Sequence, residues 1–156
     1  MKKLLCVLLS CALAFFGAAA ATAQGMADWV IFVYLCGTDL ESDEQAASSD
    51  LQEMMDAGAG ANVRFVVQTG GTKKWAVPEV IPNDRISRLD VYGNDIAAVY
   101  QGDLQNMGEA GTLRDFVTWG FENYQAKRYG LVLWNHGSGS ISGVCFDELY
   151  DNDSLT

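Results

Sequence analysis

The chain has 156 residues, of which 49% are apolar and 19% charged, with only two prolines. That composition argues against a disordered chain, a collagen-like repeat and a disulfide scaffold. Twenty acidic residues against ten basic ones also argue against a nucleic-acid partner, because phosphate backbones require a basic surface.

Residues 1–23 read as a secretory signal peptide. Lys2 and Lys3 form the charged start, residues 4–16 the apolar stretch, and Ala21-Thr22-Ala23 the small-x-small cleavage pattern, with cutting expected before Gln24. A membrane anchor is the competing reading, since the run without charge extends from Leu4 to Ala27. Its second half is Ala-rich and no basic flank follows, so cleavage is favoured, with a secreted or periplasmic location and no stable membrane anchor. Cys11 lies inside the apolar core, which disfavours a lipoprotein. Residues 24–156 then carry eight basic and twenty acidic residues, a net charge of −12, and two cysteines, Cys36 and Cys145. Two are too few for a disulfide framework, and whether they pair is open. The plain reading is two half-buried thiols acting as small apolar residues.

Residues 28–36 are nearly all β-branched, aromatic or aliphatic and predict a strand buried on both faces, as in a parallel sheet. Ser42 and Gln45 have capping-box spacing, and Ala47, Leu51, Met54 and Met55 then share one helical stripe. Residues 57–60 (Ala-Gly-Ala-Gly) stop that helix. Residues 62–68 predict a second buried strand, ended by Thr69-Gly70-Gly71. Residues 85–92 alternate as an exposed strand would, with residues 96–100 as a hairpin partner. Thr112 and Asp115 repeat a capping-box-like spacing. Leu113, Phe116, Val117, Gly120, Phe121 and Tyr124 follow as an amphipathic face. Residues 129–134 predict a third buried strand, running straight into Asn135-His136-Gly137.

The order is that of an α/β fold, a mostly parallel sheet flanked by helices. In such sheets working groups collect at the carboxyl ends of strands. Three ends carry polar residues: Cys36-Gly37-Thr38-Asp39, Thr69-Gly70-Gly71 and Asn135-His136-Gly137. His136 is the only histidine. A lone histidine is more often structural, but a strand end before a glycine-rich loop is where catalytic residues gather, and imidazole moves protons near neutral pH. Gly137, lacking Cβ, lets its backbone N–H approach a substrate and stabilise an oxyanion.

Residues 131–137 resemble the histidine motif of the clostripain family of cysteine peptidases, in the caspase-like clan. The resemblance extends over residues 29–41, 50–54, 66–71, 106–108, 115–124 and 143–148. It implies a secreted endopeptidase of caspase-like fold that cuts after basic residues, Arg preferred, through a Cys-His dyad. His136 matches the family histidine and Gly137 the oxyanion-hole glycine. The family's nucleophile lies at the end of the next core strand in an Asp-Ala-Cys setting, and no such motif occurs between Cys145 and Thr156. Residues 24–156 are therefore expected to be the amino-terminal part of the peptidase domain. The implied partners are basic peptide substrates and the remainder of the same enzyme, either continuous with this segment or as a separate processed chain. Calcium is a family-level possibility, with no ligands assigned. A sheet lacking its next strand exposes an edge, so poor solubility of this segment alone is expected.

Other readings are weaker. Cys145 and Cys36 stand among carboxylates that would raise a thiol pKa, and both are taken as structural. Asp147, Glu148, Asp151 and Asp153 do not follow EF-hand spacing and read as a solvated acidic loop, as do Asp39, Glu41 and Asp43. Ser138 and Ser140 do not satisfy G-x-S-x-G and read as a flexible loop. The alternative from a different class is a non-catalytic secreted α/β binding module.

Overall fold

The computed structural model describes residues 26–58 and 62–156; the expected signal peptide lies outside them. The chain runs β1 (Ala27–Cys36), α1 (Thr38–Ser42), α2 (Ala46–Asp56), β2 (Val63–Gly70), β3 (Arg85–Tyr92), β4 (Asp95–Asp103), α3 (Ala110–Asn123), β5 (Ala126–Trp134), α4 (Gly139–Ser142), β6 (Val144–Asp147) and β7 (Asp153–Leu155). Five strands form one sheet in the order β4-β3-β2-β1-β5, and β6 with β7 forms a small separate ribbon. β1 pairs in parallel with β2 and β5. β3 is antiparallel to both β2 and β4, so it alone runs against the other four.

The apolar run of β1 is explained by its interior place, paired on both sides with β2 and β5. Its alternate residues enter opposite layers. Val30, Phe32, Tyr34 and Cys36 pack with Phe116 of α3, Met107 and Cys145. Val33 and Leu35 pack with Ala47 and Leu51 of α2 and with Trp75 and Ile81. Phe32 makes edge contacts with Phe116 and Phe121 and stacks on Tyr129. Trp75 and Ile81 come from the segment between β2 and β3. That segment has no regular element, yet both side chains are buried.

Several expectations need correction. The Ser42–Gln45 capping box does not form: Ser42 ends α1, and Gln45 precedes α2 in a left-handed conformation. The carboxylate of Glu41 does the capping instead, accepting from Ser48 N at 2.8 Å and Ser48 Oγ at 2.6 Å. It also accepts from Ala76 N at 2.8 Å, so Glu41 is a buried anchor rather than a solvated acid. Likewise Thr112 lies inside α3, which begins at Ala110. β3 is buried and β4 is the exposed edge of the hairpin. β5 is the other edge of the sheet, so Leu131, Val132 and Leu133 are exposed rather than buried. Residues 139–142 form a helical turn rather than a flexible loop. Asp147 is fully buried, accepting from Met107 N at 2.7 Å and Leu149 N at 2.8 Å, and is not part of a solvated loop.

Candidate active site

The three polar strand ends converge. Gly37 N donates to Gly70 O at 2.9 Å and Thr38 N to Gly71 O at 3.0 Å. Thr72 Oγ1 donates to Thr38 O at 2.9 Å. Gly71 sits at φ +71°, and a Cβ there would collide with Cys36 Sγ, so only glycine fits this turn between two strand ends. Asn135 spans two elements: its Nδ2 donates to Cys36 O at 2.5 Å and its Oδ1 accepts from Phe146 N at 3.2 Å. The residue just before His136 is thereby fastened to β1 and β6.

His136 projects from the carboxyl end of β5 into an open cleft of about 380 Å³ lined by Thr38, Asp39, Lys73, Phe146, Glu148 and Asn152. Its Nε2 lies 2.9 Å from Asp39 Oδ1. Asp39 also accepts from Thr38 Oγ1 at 2.7 Å. The Thr38 hydroxyl first, and the His136 ring second, hold the Asp39 carboxyl below the usual carboxylate range. On the cleft's other wall Glu148 accepts from Lys73 N at 2.5 Å and Thr72 Oγ1 at 3.1 Å. Lys73 Nζ lies 3.5 Å from Glu148. Gly137 follows His136 and bridges to Val144. A Cβ on it would meet nothing within 4 Å, so the space over its backbone is open to a substrate.

The two cysteines are elsewhere in chemical terms. Both are free and fully buried, more so than the half-burial expected. Burial raises the Cys36 thiol strongly and Cys145 to about 12. Neither supplies a thiolate to the cleft. The structure thus keeps His136 and Gly137 together at the rim and adds Asp39, Thr38, Asn135 and Glu148. Asp39 was read as a solvated acid; its place at a polar strand end was the available signal. Among the described residues no group of three or more His, Cys, Asp or Glu side chains is placed to hold a metal ion. No helix among them is long and apolar enough to cross a membrane.

The sequence pattern of the clostripain family matches residues 33–156, and the chain belongs to that family of cysteine peptidases. Solved structures share the fold. A B. fragilis cysteine protease is 18% identical with a TM-score of 0.58, over 73% of this chain and 92% of that one. A clostripain from Bacteroides thetaiotaomicron, in complex with the peptide inhibitor BTN-VLTK-AOMK, is 16% identical with a TM-score of 0.57, over 75% of this chain and 97% of that one. A secreted cysteine protease from the same species, iotapain, is 18% identical with a TM-score of 0.55, over 74% of this chain but 31% of that one. No curated protein matches significantly. The caspase-like, mostly parallel sheet expected from the sequence is therefore the fold of this chain.

Proposed function

We propose that residues 24–156 form the amino-terminal part of a secreted cysteine endopeptidase and supply its general base. The observation that carries this reading is His136 standing at the open strand end while both thiols of the described residues are sealed in the core. His136 takes the proton of an external cysteine thiol, and later returns a proton to the leaving amine. The Gly137 N–H stabilises the oxyanion as the thiolate adds to the scissile carbonyl. The nucleophile comes from the remainder of the enzyme, on a strand seated beside β5. The exposed Leu131, Val132 and Leu133 suit that seat. This chain spans more than nine-tenths of two of the solved relatives but 31% of iotapain. Both a separate and a continuous second part fit those lengths.

The substrates proposed are peptides cut after basic residues, Arg preferred. The peptide inhibitor of the B. thetaiotaomicron clostripain ends in Lys, which agrees with a basic preference, and a charge of −12 on residues 24–156 attracts basic peptides. Secretion rests on residues 1–23 and on the secreted relative. The test is an Arg-ended reporter peptide given to the complete enzyme. Cleavage is expected, with loss on His136→Ala; undiminished turnover in that variant refutes the role.

A further inference from the structure

We infer that Asp39 is the positioning residue of His136: it holds the neutral ring in the Nε2–H form and leaves the Nδ1 lone pair to accept the proton of the attacking thiol. The catalytic half of this statement rests on the peptidase reading above, whereas the tautomer follows from the geometry. Asp39 Oδ1 is 2.9 Å from His136 Nε2. An ionised carboxylate only accepts hydrogen bonds, so the ring nitrogen facing it is the donor. The bond made by one ring nitrogen fixes the role of the other.

Asp39 is itself aimed. Thr38 is buried, and its hydroxyl reaches Asp39 Oδ1 at 2.7 Å. Its backbone sits at φ +43°, a sparsely populated conformation for a β-branched residue. The hydrogen bonds of Thr38 N to Gly71 O and of Thr72 Oγ1 to Thr38 O hold it there. Backbone strain of this kind concentrates where a side chain must be pointed. The other charged groups lining the cleft, Lys73 and Glu148, pair with each other at 3.5 Å. Glu148 is further occupied by Lys73 N and Thr72 Oγ1, so neither competes with Asp39 for the ring.

In the complete enzyme labelled with nitrogen-15 at imidazole, the His136 ring is assigned as the signal that His136→Ala removes and is read by long-range proton–nitrogen correlation. With the ring neutral, the native chain is expected to show the N–H pattern at Nε2 and the lone-pair pattern at Nδ1. Asp39→Ala is expected to give a mixture of both tautomers, and Asp39→Asn, whose amide can donate to Nε2, to raise the Nδ1–H share. In the complete enzyme both variants should lower kcat about tenfold with KM unchanged. That lies far below the ~10⁴-fold loss known for a buried Asp–His pair, because here Asp39 and His136 are both more than a third exposed. A ring pattern unchanged in both variants overturns the inference, and so does redistribution of the tautomers without loss of kcat. If the native enzyme cleaves nothing while the ring responds as described, the peptidase reading fails and the role of Asp39 in fixing the tautomer stands.

Discussion

Glu41→Gln tests the joint that carries the site. The two oxygens of Glu41 take three hydrogen bonds, from Ser48 N, Ser48 Oγ and Ala76 N, at 2.6 to 2.8 Å. An amide keeps one acceptor oxygen. With that oxygen toward Ser48 Oγ and Ala76 N, the new NH2 group faces the N–H of Ser48. Turned over, it faces the N–H of Ala76. In both arrangements a backbone donor aimed at the buried Glu41 side chain meets another donor. Leaving such a donor unsatisfied costs about 1–3 kcal/mol, and exchanging charge-assisted bonds for neutral ones adds about 1 kcal/mol. We therefore expect a loss of about 3 kcal/mol from a stability of ~5–15 kcal/mol. Urea titration followed by tryptophan fluorescence reads it as a lower midpoint with an unchanged slope. A midpoint within about 0.5 kcal/mol of the native one, the range of ordinary surface changes, would refute the claim that Glu41 ties α1 to α2 and to the segment bearing Trp75.

Gly120→Ala in α3 would put a methyl group 2.7 Å from Phe32 Cζ and nearer still to Cε1; a loss of about 1–3 kcal/mol is expected from such overpacking, measured by thermal unfolding. Gly137→Ala has open space in the folded chain, so its unfolding temperature should match the native one while kcat/KM on the Arg-ended reporter falls. Because Ala keeps the backbone N–H, equal kcat/KM would mean that the substrate does not approach the face of residue 137 that the methyl fills. Arg88 is buried against the rings of Trp119 at 4.7 Å and Tyr100 at 4.8 Å and donates from Nε to Gln68. Arg88→Lys keeps the charge but not the planar stack and should cost about 1–2 kcal/mol. Burial raises the Asp147 carboxyl. Its favourable contribution is thus full below its unfolded value of about 4 and is lost as pH rises through the folded one. Native protein should therefore lose stability relative to Asp147→Asn as pH rises above about 4, and a difference independent of pH counts against this account.

The buried strands β1 and β2 and the faces of α2 and α3 were legible because their apolar periods reflect packing on one face or two. Helix starts were not. The Ser42 and Thr112 spacings satisfy a local rule, but a carboxylate seven residues upstream, Glu41, supplies the cap of α2, and such a contact has no fixed spacing. The acids failed for the same reason. Glu41, Asp147 and Glu148 look like charges for water, yet each accepts backbone N–H groups from segments distant in sequence. β5 misled in the opposite sense, since its apolar residues read as buried while its place at the sheet edge leaves Leu131 48% exposed. That His136 and Gly137 stand at the carboxyl end of an apolar strand was legible. The contact of Asp39 with the ring was not, because only the parallel pairing of β1 with β5 brings the two strand ends together.

The one-sided pairing of β5 has a consequence for solvent exchange. Along a parallel strand, successive amides point to opposite neighbours. Those of β5 that face β1 are locked by the parallel pairing with it, and the alternate ones point outward. Amide deuteration should thus proceed in a slow–fast alternation from Ala126 to Trp134, and the docking of a sixth strand should convert the fast set to slow, giving a residue-by-residue signature of assembly.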